Sequence, residues 1–514
     1  MKQQKAMAAM LLATAGLALA CGPTVLQPHL HAVATAGEIR ANVHELKVHM
    51  KSGDLVVLDS WRVRQEGQVI EGKGTRYDVL RQVKGSGPQS LAASDIALLE
   101  TNDRSTVSIL ATVGLSTLTA FWGFASIACT ANPKSCFGSC PTFYLEDDLD
   151  RPRAEGFSAS IARSLEARDV DALGDVTIRG SRLAIRMRNE AMETHAVRRV
   201  RLLSVPRPPG ARVFATREGL FHEVSELRSP TSCQAPEGDC LAEVARPDDD
   251  ERRSVTDARD LAAREEIDLL FPDAPTRGGI VIKARQSLLS TFLFYQTLAY
   301  MGRRAGDWLA MVDGGSPEQA KNVMGMSRVL GGIDVDVAED GGEWQRFGTF
   351  DEAGPIAGDT QVVRLGTRSH EGPLRVRLLM AKGHWRIDWV ALGELGVARD
   401  ARALEPLLVE RGGRPDASAL ASLRGRGNRL ITLPGDEYRL TFALPAGAQA
   451  SELFLESEGY YYEWMRQEWL AEEDPEMVAL ILSRPEEALR RLAGIFKTRE
   501  AQADQAFWES RFRR

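Results

Sequence analysis

The chain has 514 residues, 44% of them hydrophobic and 26% charged, which is too long for one hydrophobic core and too apolar for a disordered polymer, so several globular units are expected. Its 64 Lys and Arg against 71 Asp and Glu give a formal charge of −7 with the two signs interspersed, which argues against the concentrated basic face that a nucleic-acid partner requires.

Lys2 and Lys5 precede an uncharged run from Ala6 to Ala20 that ends Ala18-Leu19-Ala20, directly before Cys21. A cationic start, a short apolar core and small residues before the cut make residues 1–20 a secretory signal peptide. A cysteine at the first position after the cut is where a bacterial lipoprotein is acylated, so Cys21 is the expected lipid anchor and residues 21–37 a tether. Ala18-Leu19-Ala20 also suits ordinary signal cleavage, which would export the chain without a lipid. The location that follows is a bacterial cell envelope, at an outer membrane or the periplasmic face of a membrane. His29 and His31 fall in the tether and read as linker residues rather than metal ligands.

Residues 38–104 alternate short apolar stretches with Gly turns, as in Leu55-Val56-Val57-Leu58 and Val69-Ile70 before Gly72 and Gly74. This pattern predicts a small β-barrel-like module or a single curled sheet. Residues 105–131 carry no charge and reach the length of a membrane-spanning helix. Seven Ser and Thr residues between Thr106 and Ser126 dilute its hydrophobicity, so a buried helix or one lying against the bilayer competes with a transmembrane helix.

With Cys21 assigned to the lipid, five cysteines remain. Cys233 and Cys240 bracket a polar loop with Pro and Gly that can turn the chain back, and are expected to form a disulfide in an oxidising compartment. That expectation conflicts with a crossing of an inner membrane at 105–131, which would put the loop in the reducing cytosol. Cys136-Phe-Gly-Ser-Cys140-Pro has neither the second ligand pair of a zinc site nor the two-residue gap of thiol redox proteins. Cys136 and Cys140, with Cys129 as an alternative partner, are therefore disulfide candidates.

Residues 132–280 read as a β-rich module, with strands at Arg182–Glu190 and Val197–Val205. The stripe Arg182, Arg186, Arg188 fits a solvated strand face better than an anion site. Residues 281–331 change to a helical period through Leu288, Leu289, Phe292, Leu293, Tyr295, Leu298 and Met301, too short and interrupted for a span and suited to a core helix. Residues 332–455 return to regular strands and turns and predict a β-sandwich-like module, whose Trp344, Trp385 and Trp389 are candidates for a ligand face because flat indoles stack on sugars. Asp334, Asp336 and Asp340 alternate as an exposed strand face does; calcium binding is the weaker reading. Residues 456–514 form a helical C-terminal tail with starts at Asp474-Pro475-Glu476 and at the capping box Ser483-Arg484-Pro485-Glu486. The fold class expected is mainly β with helical segments, in the α+β class.

Four stretches carry a resemblance: Ile70-Glu71-Gly72-Lys73-Gly74-Thr75-Arg76-Tyr77, Cys136-Phe137-Gly138-Ser139-Cys140-Pro141-Thr142-Phe143-Tyr144 with the four residues before it, Phe292-Leu293-Phe294-Tyr295-Gln296, and Gly459-Tyr460-Tyr461-Tyr462. In these the chain resembles an uncharacterised family of bacterial envelope lipoproteins. The resemblance implies the architecture and the location, and brings no catalytic residue with it.

No Gly-x-Ser-x-Gly elbow, His-Glu-x-x-His or phosphate loop occurs in the sequence, so no catalytic residue, metal ligand set or cofactor is expected. The function expected is that of a non-enzymatic binding or scaffold protein, held at a membrane by its N-terminal lipid and facing an envelope protein or glycan partner. The alternatives are an envelope hydrolase without a recognisable motif, and a subunit of a membrane assembly anchored by the 105–131 helix.

Overall fold

Period-two burial organises most of this chain. In Arg182–Arg188, Leu183, Ile185 and Met187 turn into a core while the arginines between them face outward. The computed structural model describes residues 24–106 and 140–509, apart from 40–44, 65–67, 79–82, 192, 316–324, 340–341, 353, 427, 467–468 and 470–471. Cys21, the signal, Cys129, Cys136, Asp340 and residues 107–131 lie outside the described residues. Among the described residues no helix is long and apolar enough to cross a membrane.

The fold is mainly β with helices packed between sheets, and its sheets are assembled from segments far apart in sequence. One sandwich faces a sheet containing Thr142–Leu145, Asp148–Glu155, Arg182–Arg188, Pro406–Arg411 and Glu437–Ala443 against a second containing Ala167–Ala172, Glu193–Pro206, Arg402–Leu404 and Ser451–Glu463. Phe143, Ile185, Met187, Val200, Tyr438, Leu440, Phe442 and Leu455 fill the space between them. A second sandwich packs a sheet containing Ala211–Ala215, Phe221–Arg228, Arg277–Gln286, Asp359–Thr367 and Trp385–Arg399 on one containing Ser232–Ala235, Arg264–Ala274, Ile333–Glu339, Gln345–Phe350 and Gly372–Ala381. Phe271, Ile282, Val335, Phe350, Val376, Leu378 and Trp385 form its core. The two sandwiches meet where Leu203, Val205 and Phe454 on the outside of the first touch Val213, Ala215 and Phe221 of the second.

The helices Leu289–Met301, Ala305–Gly314, Gly325–Leu330, Pro475–Ser483 and Pro485–Lys497 share a third core with Leu30, Leu98, Tyr460 and Tyr462. Leu289–Met301 is buried on nearly every side, with ten of its thirteen residues enclosed. Asp474 caps the helix that follows it, accepting from the Glu476 and Met477 amides at 3.1 and 3.2 Å. Ser483 does not start the next helix; it ends the previous one, its hydroxyl donating to the Ala479 carbonyl, and Pro485 opens the next turn.

Several expectations about modules are corrected. Residues 38–104 do not close into a barrel: the sheet is open, in the order Thr24–His31, Ile96–Thr106, Leu46–Met50, Leu55–Arg64, Val69–Tyr77, Val83–Ala92, with different strands at its two edges. Its outer strand comes from the expected tether 21–37, because Thr24–His31 pairs along its whole length with Ile96–Thr106 and His31 Nε2 lies 2.7 Å from Thr101 Oγ1. The 132–280 and 332–455 stretches are not separate modules either: Arg182–Arg188 pairs with Glu437–Ala443, and Arg277–Gln286 with Asp359–Thr367. Alternation along a strand records that one face is buried; it holds no information about the neighbour that hydrogen-bonds to its edge.

Cys233 and Cys240 form a disulfide across the hairpin Ser232–Ala235 and Gly238–Asp239, with their Cα atoms 5.1 Å apart and the Cys240 amide donating to the Cys233 carbonyl at 3.1 Å. Peptide mapping without reduction should recover this link. Replacing both cysteines with Ala should lower the unfolding free energy by about 2–3 kcal/mol in chemical denaturation, the loop-closure entropy of so short a ring.

Candidate functional site

The three candidate tryptophans are not brought together. Trp385 is 1% exposed in the second core, its ring edge-on to Phe350 at 5.6 Å and its indole N–H donating to the Gly331 carbonyl at 3.3 Å. It is a packing residue. Trp344 is half-buried on the far side of the same sandwich, beneath the guanidiniums of Arg375 and Arg377 at 4.9 and 4.2 Å, so a cation–π contact already occupies its ring. Trp389 lines a cleft.

The spacing of Trp385 and Trp389 puts them on one face of an ideal strand, yet one points inward and the other outward. A β-bulge separates them: Lys283 opposes Trp389 and Ala284 opposes Ile387, leaving Asp388 as the extra residue. Before the bulge Trp385 and Ile387 face the core; after it Val390 and Leu392 do. Asp388 and Trp389 are thereby both turned into the cleft.

This cleft, of about 410 Å³, lies between the two sandwiches, within the range of roughly 300–1,000 Å³ usual for small-molecule sites. Its apolar floor is Trp389 and Phe214, 6.2 Å apart, with Val213, Leu453 and Phe454. Its walls are ion pairs. Arg151 meets Asp249 at 2.6 Å, Lys283 bridges Asp249 at 2.7 Å and Asp388 at 2.5 Å, and Arg285 grips Glu251 through two nitrogens at 2.5 and 2.7 Å. Arg212 binds Glu452 and reaches Asp175 at 3.1 Å. Burial pushes the Asp388 carboxyl up from its usual range, opposed by Lys283. With these charges paired, the cleft presents a dense array of donors and acceptors around an aromatic surface. Such an array suits a polar, uncharged, hydroxyl-bearing ligand.

The arginine stripe behaves differently from a binding face. Arg186 pairs with Glu437 and Glu146, and Arg188 binds Glu437 at 2.8 Å while lying 4.6 Å over the Tyr144 ring. Arg182 is exposed. Glu437 of the neighbouring strand and Glu146 of the turn after Thr142–Leu145 pair with the arginines of this face. Asp334 and Asp336 are likewise occupied, both by Arg346, with Asp334 also accepting from Thr349 at 2.7 Å.

Cys140 is a free, buried thiol, which corrects its place among the disulfide candidates; Cys129 and Cys136 lie outside the described residues. Burial pushes the thiol well above its ordinary pKa, with Glu193 and Glu155 adding to the rise, so it has little thiolate character. Sequence reasoning missed Phe214, Asp249, Lys283, Arg285 and Asp388, which come from separate segments with no shared motif; the one local signal was the aromatic at Trp389.

No family model matches this chain, and no curated protein matches it in sequence. A solved structure with some likeness is that of the arabinofuranosyltransferase AftD from Mycobacteria, 11% identical over 85% of this chain, with a TM-score of 0.15. The chain spans 31% of that protein's length, and a likeness of this grade carries no argument about fold or function.

The contrast between the two tryptophans is measurable. Trp385→Ala should cost about 3–5 kcal/mol, as for a fully enclosed aromatic. Trp389→Ala should cost about 1–2 kcal/mol in the same denaturant titration, since its ring has a solvent side.

Proposed function

We propose that this chain is a membrane-anchored envelope lipoprotein that acts by binding, and that the cleft around Trp389 takes a neutral glycan segment. The observation that carries the reading is the bulge at Asp388, which turns an aromatic ring and a carboxylate out of a core strand into a cleft walled by matched ion pairs. A sugar ring offers an apolar face to the indole and hydroxyls to the guanidinium and carboxylate edges. No catalytic role is assigned to the acids of this cleft, each of which is engaged by a basic neighbour.

The anchoring half of the proposal draws on the register of the first sheet. Thr24 opposes Thr106, so the chain enters the sheet from Cys21 and leaves it toward the uncharged 107–131 stretch at the same end. Thr24 is three positions after Cys21, a reach of about 10 Å at most. An acyl chain on Cys21 would hold that end of the sheet against the bilayer, where the 107–131 stretch would also be delivered. The Cys233–Cys240 disulfide fits an oxidising side of the membrane.

Two outcomes test the reading. Cys21→Ser should move the protein from the membrane pellet to the soluble envelope fraction; continued sedimentation would assign the anchoring to another segment. Trp389→Ala should weaken retention on purified cell-wall glycan by about tenfold, equivalent to ~1.4 kcal/mol, with the fold intact by circular dichroism. Equal retention of the variant would remove the cleft from consideration.

A further inference from the structure

A second cleft, of about 370 Å³, opens where the same two sandwiches meet on the other side of the strand Ala167–Ala172. This strand is the edge of its sheet, pairing on one side with Ser451–Glu463 so that Asp169 opposes Ser457 and Asp171 opposes Leu455. Val170 and Ala172 pack on the apolar contact between the sandwiches. Alternation therefore sends Asp169 and Asp171 to the opposite face together. There they meet acids of the second sandwich: Glu352, just after the strand Gln345–Phe350, and Asp359, which opens the strand Asp359–Thr367.

One carboxylate oxygen from each of Asp169, Asp171 and Glu352 lies within 4.8 Å of the other two. Asp171 is only 4% exposed, and its Oδ2 has no hydrogen-bond partner. Ser160 Oγ and Gln361 Oε1, which line the cleft beside Asp169 and Glu352, are also buried without partners. Asp169 is held by the amides of Phe157 and Val170, each at 3.0 Å, and Asp359 by the Ala172 amide at 2.8 Å and the Gln361 side chain at 3.1 Å. The arginines on the rim are engaged elsewhere, Arg168 with Glu456 at 2.8 Å and Arg217 with Asp351 at 2.7 Å. Burial pushes up the carboxyls of Asp169, to about 6, and Asp171, and the neighbouring acids add to both shifts. Burial and the charges of Asp169, Glu352, Asp359 and Glu155 all push the Asp171 carboxyl in the same direction.

We propose that Asp169, Asp171 and Glu352 bind a calcium ion that clamps the two sandwiches together, with Asp359, Ser160 and Gln361 around it. The donors are all oxygens, which selects calcium or magnesium over zinc or copper. Two oxygens sharing a calcium ion at 2.3–2.6 Å can be about 5 Å apart at most, which the cluster satisfies before any adjustment. Calcium's tolerance of irregular shells of six to eight oxygens suits ligands drawn from a strand edge and a loop, whereas magnesium demands a near-ideal octahedron. The ion would also bear on the neighbouring cleft, because the Ala172 amide that Asp359 accepts from belongs to a residue lining it.

The test uses the full chain in detergent, stripped with EDTA and titrated with calcium chloride in a calorimeter, with thermal unfolding followed in parallel. It needs no glycan, so its outcome is independent of the Trp389 reading. Wild type should show saturable heat and a melting temperature that rises by several degrees with calcium and less with equal magnesium. Asp171→Asn and Glu352→Gln should each weaken calcium binding by at least about tenfold. In EDTA, Asp171→Asn should melt at or above wild type, because it removes one of several crowded negative charges. Absence of a calcium response in wild type, an undiminished response in Glu352→Gln, or an Asp171→Asn protein that melts below wild type in EDTA would each overturn the site and make the cluster a structural feature.

Discussion

The pairing of Glu193–Pro206 with Ser451–Glu463 is the constraint on which the other parts depend. The two strands run together from Pro206 opposite Ser451 to Glu193 opposite Glu463, with a single irregularity near Val197. Val200, Leu202 and Leu455 build the core of the first sandwich from one face of this ribbon. Leu203, Val205 and Phe454, on the other face, supply the contact with the second sandwich. Its far end passes beyond both: Tyr460 and Tyr462 enter the helical core, and Trp464 meets His49 of the N-terminal sheet edge-on at 5.9 Å. That end is also where the chain buries charge. Burial pushes the Glu463 carboxyl up to about 8, with Glu193 adding to the rise, while Arg466 at 3.0 Å opposes it and the Tyr295 hydroxyl donates to it. A carboxylate with so much desolvation is tolerated because its partners are held by the same ribbon and the helix packed on it.

The N-terminal sheet docks on this body through polar as well as apolar contacts. Burial alone would raise the Glu100 carboxyl, but Lys47 at 2.6 Å and His49 at 3.0 Å outweigh it and hold it at about 2. Arg163 reaches His29 at 3.0 Å, and Asp313 accepts from the amides of Leu30 and Arg163 at 3.4 and 2.9 Å. These contacts tie the sheet to the helical core. On the proposed anchoring, the orientation of the whole molecule relative to the membrane follows from the end of the sheet that Thr24 occupies.

The two clefts between the sandwiches share a wall and differ in how they settle their charges. Around Trp389, cations and anions from both sandwiches pair with one another in place. Around Asp171, the strand edge and the facing loop both contribute acids, and the burial that seals the contact leaves oxygens without partners. The same interface therefore produces one site suited to a neutral polar ligand and one suited to a hard cation.

The sequence by itself determined what is local. Alternation identified the strands at Arg182 and Val197, the apolar period identified the helix around Phe292, Asp474 its helix start, and the short polar loop the Cys233–Cys240 link, because each depends on neighbours within a few residues. What the tertiary structure decided is which edges pair and where parity changes. Thr24–His31 looked like a linker because its partner, Ile96–Thr106, lies some seventy residues on. Trp385 and Trp389 looked equivalent because a bulge at Asp388 is invisible to a count of residues. Asp169 and Asp171 drew no notice because Glu352 and Asp359 meet them only after two sandwiches have closed on one ribbon, and the free energy that brings those acids together is spent on the apolar contacts around them rather than on any pattern in their own segments.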